Sequence, residues 1–542
     1  MKKALFFLCL LSTVAFGQTE KPKLVVGIVV DQMRQEYLYR FSSKFGNGGF
    51  KRLMTQGFMA RNAHYNYVPT YTGPGHASIY TGTTPAVHGI IGNDWWDKDT
   101  KKSVNCVGDE RFTVVGVDKG NGDVAPSRML STTITDELKV FTQRRAKVIG
   151  LSIKDRGAVL PAGHAADGAY WYDGGTGKFI SSTYYKPGLP LWLDQFNNLK
   201  LADKYLNGTW NTLLPIEQYV ESGPDDSPYE TIRKGKTRPV FPYNLAEMRK
   251  LNPDFDMLTD TPFSNDLLTE LAKAALTGEE MGLDNITDFL TVSFSATDYI
   301  GHAMGPNSIE VEDTYLRLDK NLEDLLNTLD KKIGAGQYLI FLTADHAVAE
   351  VPKALIDLKI PAGYFNGKKM EADLDSYLNQ FFPGVKIIEK ISNQQVFLDH
   401  AKFAGNPKTS GVDLLIAVQL IQKFLFTVEG VNNVFTETSI QEIELDASER
   451  GMVARGFHPT RSGDIAFTLK PGWLSHSTTG STHGSHYSYD THVPMLFYGA
   501  GVKPGVTDAY HPITDIAPTV STLIGVKFPS GCTGQPISEA IK

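Results

Sequence analysis

The chain has 542 residues, 42% of them hydrophobic and 21% charged. This is ordinary globular composition with enough apolar material for a large core, so a disordered or fibrous chain is excluded. The formal charge of −7 excludes a basic surface of the kind that binds nucleic acid.

Lys2 and Lys3 form a basic start, Ala4 to Leu11 is apolar, and Ala15-Phe16-Gly17 offers a small-x-small cleavage site before Gln18. Residues 1–17 therefore read as a signal peptide, too short to span a bilayer comfortably. Cys9 follows Leu8, where a lipobox needs a small residue, so lipid attachment is not expected. No later stretch approaches a membrane span. The expected product is a periplasmic or secreted protein of residues 18–542, soluble and monomeric. Its two remaining cysteines, Cys106 and Cys532, fit a disulfide or two buried thiols equally well.

The first element is an unbroken apolar run, Leu24 to Val30, which stops at Asp31. Such runs are how buried parallel strands read. Next comes Tyr71-Thr72-Gly73-Pro74-Gly75-His76-Ala77-Ser78. Its small residues permit a tight turn, and a helix from Pro74 onward would aim free N–H groups at Thr72. A hydroxyl there can attack phosphorus if a metal lowers its pKa, whereas by itself the stretch is an ordinary capped turn.

Ala146 to Ile153 is a second strand, ending at Lys154-Asp155-Arg156. On extended chain, Lys154 and Arg156 face the same side, and the triplet reads either as a binding pair at a strand end or as a solvated charge cluster. Residues of about 160–265, rich in Gly, Pro, Asn and aromatics, read as an insertion. Within it, Tyr170-Trp171-Tyr172 and Lys178-Phe179-Ile180 flank a Gly-rich turn and predict a hairpin.

Phe289 to Phe294 is a third strand and leads into Asp298, with His302 four residues on and so on the same helical face. A helix is predicted from Asn307 or Ser308, since Val311, Tyr315, Leu318, Leu322, Leu325 and Leu329 form an apolar stripe. Tyr338 to Leu342 is a fourth strand before Asp345-His346. A second insertion covers about 350–470. His483 follows, then an apolar run at Val493 to Tyr498 and a helix at Ile513 to Ile524. Alternating strands and helices predict an α/β/α sandwich around a mostly parallel sheet, with the site at the carboxyl ends of its strands. The Asp and His clusters all fall there, and histidine with carboxylate suits zinc.

Taken together, Val30-Asp31-Gln32-Met33, Thr72-Gly73-Pro74-Gly75-His76, Gly92-Asn93-Asp94-Trp95, Lys154-Asp155-Arg156, Asp298-Tyr299-Ile300-Gly301-His302, Asp345-His346 and Thr482-His483-Gly484 resemble the alkaline phosphatase superfamily. Within it the chain is similar to bacterial phosphate-irrepressible alkaline phosphatases of the PafA type, from about Lys23 to the C-terminus. The resemblance implies two zinc ions. Asp298, His302 and His483 would hold one. Asp31, Asp345 and His346 would hold the other, with Thr72 as its fourth ligand and the nucleophile. It further implies that Asn93, Lys154 and Arg156 bind phosphoryl oxygens, so that phosphate monoesters are hydrolysed through a phospho-threonine. His76, His486 and His492 are expected to support or buttress. Ala347 stands where relatives often carry Gly, which matters only if the backbone needs a positive φ.

Three other readings compete. A phosphodiesterase or nucleotide pyrophosphatase shares the bimetallic core but usually lacks the Lys and Arg pair. A sulfatase needs Cys or Ser in a C/S-x-P-x-R context, which Thr72-Gly73-Pro74-Gly75-His76 does not supply. A non-catalytic zinc-binding exported protein would have no need of an intact Thr72.

Overall fold

The computed structural model describes residues 21–403, 414–442 and 444–542. The predicted signal peptide lies outside the described residues. Leu24–Val30 is a strand buried at every position, as its unbroken apolar run requires. It sits inside a ten-stranded sheet, between Tyr338–Thr343 and Asp288–Phe294 and parallel to both. Val148–Ser152 and Gly168–Asp173 continue the parallel set on the Asp288–Phe294 side. The carboxyl ends of these strands therefore share one edge of the sheet, where open α/β sheets bind ligands.

The long helix Ile309–Lys332 is capped by Ser308, whose hydroxyl accepts from the Val311 N–H. Its predicted stripe, from Val311 to Leu329, is buried against the sheet. The C-terminal helix is Ile516–Ile524, preceded by a 3₁₀ turn at Ile513–Asp515.

Two elements differ from the sequence reading. The run at Val493 to Tyr498 gives the strand Met495–Gly499, which is antiparallel to Tyr338–Thr343. Burial sets the apolar pattern of a strand, and that pattern is blind to chain direction. The Tyr170 hairpin forms, with Gly168–Asp173 antiparallel to Lys178–Ser182, but it extends the central sheet instead of standing outside it.

Between residues 350 and 470 the chain builds a separate four-stranded sheet in the order Ile388–Ser392, Gln395–Leu398, Ile465–Leu469, Val431–Thr436. Its own apolar cluster includes Met370, Leu374, Phe382, Val396, Ile421 and Phe467. Cys106 and Cys532 are free thiols. They pack near Gly73 and Gly82, at opposite ends of the ten-residue helix Thr72–Thr81. That helix is roughly 15 Å long, beyond the span of a disulfide. Among the described residues no helix is long and apolar enough to cross a membrane.

Candidate active site and metal centre

Asp31 follows the first strand directly, and its backbone N–H bonds Phe294 O of the neighbouring strand. Asp298 and His302 lie one turn apart on the helix Ala296–Met304, with His302 Nε2 3.1 Å from Asp298 Oδ1. Asp345 and His346 follow Tyr338–Thr343, and His483 arrives on the later loop. Thus segments more than 400 residues apart in sequence meet at one sheet edge. Asp298, His302 and His483 lie close enough to share one ion, and so do Asp31, Asp298 and His346. The rings of His346 and His483 stack with centroids 3.4 Å apart, so the two groups adjoin.

The histidine tautomers follow from their partners. Nδ1 faces a carbonyl in each ring: Ser481 O for His302 at 2.8 Å, Ala347 O for His346 at 2.9 Å, Thr70 O for His483 at 2.7 Å. A carbonyl only accepts, so each Nδ1 carries the proton and each Nε2 lone pair faces the cluster. Burial pushes His346 down to about 3 and holds His483 well below its usual range, which keeps both rings neutral as ligands. His302 is also pulled down by burial, but Asp298 outweighs this and leaves it raised.

Two of the carboxylate oxygens have no donor. Asp31 and Asp345 are both fully buried, and Asp31 Oδ1 and Asp345 Oδ2 have no hydrogen-bond partner. Burial, together with the charge of Asp31, drives Asp345 well above the usual carboxylate range. Buried, unpaired carboxylate oxygens beside bare imidazole nitrogens are a donor set that fits zinc. Asp345 Oδ2 lies 3.7 Å from His346 Nε2, within the same cluster.

Thr72 is the first residue of the helix Thr72–Thr81, two positions earlier than predicted, and its Oγ1 lies 3.5 Å from His346 Nε2. The expected cradle of N–H groups is thin. Pro74 has none, and the Gly73 N–H is taken by Asn93 Oδ1 at 2.7 Å. That bond fixes the Asn93 amide with Nδ2 as its remaining donor group. Lys154 and Arg156 are not on extended chain together. Lys154 is the N-cap of the helix Asp155–Ala162, and Arg156 lies in its first turn, because the chain turns into helix at once after the strand. Lys154 Nζ reaches Asp31 Oδ2 at 2.7 Å and Asp298 Oδ2 at 2.5 Å, over the Tyr299 ring. Burial opposes its charge, but Asp298 and Asp31 overcome this and raise its pKa. The Arg156 guanidinium is about one-fifth exposed, and its Nε has no partner.

Residues 25–492 match the type I phosphodiesterase / nucleotide pyrophosphatase family. The chain belongs to that family, within the alkaline phosphatase superfamily. It is 45% identical to alkaline phosphatase PafA of Elizabethkingia meningoseptica over 524 residues, covering 96% of this chain and 95% of that protein. It is 46% identical to alkaline phosphatase PhoV of Synechococcus elongatus over 528 residues, covering 97% and 94%. A crystal structure of wild-type PafA superposes with a TM-score of 0.92 at 45% identity, covering 96% of this chain and 99% of that one.

In this superfamily member the sequence reading missed Gln32. Its backbone is left-handed at φ 63°, its N–H bonds Asp345 Oδ1 at 3.2 Å, and its Nε2 bonds Asp298 Oδ1 at 2.6 Å. It thereby ties together carboxylates from both metal groups. Its place directly after Asp31 was the only signal. His76 is buried between Thr72 O and Ser293 Oγ, a buttress for the nucleophile's backbone. His492 stacks on His64, and His486 faces Glu449. Ala347 does not adopt a positive φ, so alanine is at ease there.

Proposed function

We propose that the chain hydrolyses phosphate monoesters to an alcohol and inorganic phosphate, through a phospho-threonine at Thr72 and with two zinc ions. The observation that carries this is a hydroxyl at a helix start, beside two adjoining Asp and His groups, with Lys154 and Arg156 alongside. Asp298, His302 and His483 would hold one ion, and Asp31, Asp345, His346 and Thr72 the other. When bound, the zinc ions supply positive charge that lowers the hydroxyl pKa and stabilises the attacking and leaving oxygens.

The residues of the chain account for the rest. Thr72 Oγ attacks phosphorus, forming the Oγ–P bond as the P–O bond to the alcohol breaks. Asn93 Nδ2 and the Arg156 guanidinium bind non-bridging oxygens, whose charge grows more concentrated on the way to the transition state. Lys154, anchored at Asp31 and Asp298, adds a third contact and the second positive one. Water then attacks the phospho-threonine from the side the alcohol left and restores the Thr72 hydroxyl. His76 keeps Thr72 in place through its backbone carbonyl. The resemblance to PafA and PhoV over nearly the whole chain supports the monoesterase reading. Export by the predicted signal peptide, to the periplasm or beyond, belongs to the same proposal, as does a monomeric state.

The matching family embraces phosphodiesterases, so that is the second reading. Lys154 and Arg156 discriminate. A monoester leaves two charged oxygens for them, whereas in a diester one of those oxygens bears an organic group. The Lys154→Ala, Arg156→Ala double variant should lose about 2–4 kcal/mol of transition-state binding, roughly 30- to 1000-fold in kcat/KM, on an aryl phosphate. A bis-aryl phosphate should change much less. Equal losses on both substrates, with zinc content unchanged, would move the chain to the diesterase reading.

A further inference from the structure

Of the six Asp and His donors, His483 comes last in the chain, on a loop without helix or strand between Trp473–Leu474 and Ser488–Thr491. Ahead of His483 the loop is anchored on the helix Ala296–Met304. The Ser481 N–H bonds His302 O at 3.1 Å, and Ser481 O accepts from His302 Nδ1 at 2.8 Å. Directly after His483 the backbone takes a course that side chains rarely allow. Gly484 lies at φ 124°, and a Cβ there would meet the Tyr71 ring at 2.5 Å. Glycine permits that course, but its conformational freedom does nothing to hold it.

The hold on the far side of Gly484 is Asp490. Its side chain is fully buried, and Oδ2 accepts from the Ser485 N–H at 2.8 Å. Its backbone O accepts from the Ala347 N–H at 2.8 Å, one residue past His346. The segment of Asp31 reaches the same place, since the Gln35 N–H bonds His492 O at 3.2 Å and Arg34 Nε bonds Val348 O at 2.8 Å. The charge of Arg34 also acts on the Asp490 carboxyl, and Asp490 Oδ1 and Arg34 Nη2 are both buried without a partner. Three segments that carry metal-ligating residues thus converge on Asp490, which belongs to neither metal group itself.

From this geometry we infer that Asp490 is a positioning residue for the metal centre, whose carboxylate holds the His483 loop in place before any ion binds. The inference rests on the reading of His483 as a zinc ligand. Its physical basis is the entropy of order. A ligand on a loose loop must be ordered when the ion arrives, and that cost is subtracted from the affinity. A loop already fixed by a buried hydrogen bond carries little of it. Groups that hold a ligand from behind typically change metal affinity by about 10- to 100-fold when removed. The rival is a bond that stabilises the fold alone, and the geometry separates the two. Asp490→Ala removes the carboxylate and keeps the backbone O that binds Ala347. The His483 group should therefore lose affinity while the Asp31, Asp345 and His346 group keeps it.

The test withdraws zinc from the full chain with a chelator of known affinity. In Asp490→Ala one equivalent should be held about tenfold or more weakly than in wild type, and the other within about threefold. Asp490→Asn keeps an acceptor for the Ser485 N–H and should bring the weakened equivalent back to within about threefold of wild type. Hydrogen exchange is the second measurement, and it decides if Asp490→Ala does not fold. In metal-free wild type the peptide over 482–491 should exchange slowly, because its hold is in place without an ion. Free exchange of that peptide overturns the inference. So does an Asp490→Ala chain that keeps both equivalents or loses both alike, and so does an Asn variant no better than the Ala one. No arm reads activity, so a failure of the monoesterase reading stays distinct. A wild-type chain without zinc affinity removes the zinc reading, and the inference falls with it.

Discussion

Thr72 is the residue on which the proposed chemistry turns. Thr72→Ala removes the hydroxyl but leaves the six Asp and His donors, so kcat on p-nitrophenyl phosphate should fall at least about a thousand-fold while zinc is retained. Thr72→Ser supplies the same oxygen with less bulk and should stay within roughly tenfold of wild type. An alanine variant with wild-type turnover would remove Thr72 from the mechanism. At this scale most of the site was legible, because Asp31, Asp298, Asp345 and His346 each stand within a few residues of a buried apolar run. Gln32 was not legible. Its role depends on a left-handed backbone that glutamine seldom adopts and on two carboxylates that are distant in sequence. The extended backbone expected across Lys154 and Arg156 was misread for a related reason. Spacing fixes direction only once the backbone is known, and here the backbone is already turning into a helix.

Among the elements, the helix Thr72–Thr81 is held close to the Asp345 loop by Gly75. A Cβ at Gly75 would meet Asp345 O at 2.3 Å and Asp345 Cβ at 2.8 Å. Gly75→Ala should therefore cost about 1–3 kcal/mol by overpacking and displace Asp345, with zinc content falling alongside the denaturant midpoint. A second element carries a pH signature remote from the site. The helix Ile134–Phe141 has a capping box between Thr133 and Asp136, and His164 Nδ1 bonds Asp136 at 2.8 Å. Burial pulls His164 down and pushes Asp136 up, but their mutual bond prevails, leaving His164 raised and Asp136 lowered. The histidine's contribution is full below its unfolded pKa of about 6.5 and is lost as pH rises through the raised folded value. The aspartate's contribution is full above about 3.9 and is lost on acidification. The Tm gap between wild type and His164→Gln should accordingly be widest between about pH 4 and 6.5 and close at alkaline pH. A gap that is flat with pH would mean that the pair holds no charge.

For the whole molecule, the orphaned carboxylate oxygens of Asp31 and Asp345 make metal content the decisive measurement. Elemental analysis should find close to two zinc per chain, and a chelator should abolish activity and lower Tm, since an ion bound only by the folded state stabilises it by mass action. Full activity in metal-free protein would defeat the proposal. The mature chain should begin at or near Gln18, which N-terminal sequencing of exported protein would show. Strand identity, the amphipathic helix Ile309–Lys332 and the Asp and His placements were written in the sequence by itself, because burial and periodicity are local properties of the chain. Three matters were decided only in three dimensions. Met495–Gly499 runs antiparallel, since a buried apolar run carries no mark of direction. Cys106 and Cys532 stay apart, since one helix separates them. The hairpin turn at Asn393, between Ile388–Ser392 and Gln395–Leu398, brings its Nδ2 to Asp94 O, roughly 300 residues earlier in the chain. Contacts at that separation follow from how layers pack, and no local pattern of residues encodes them.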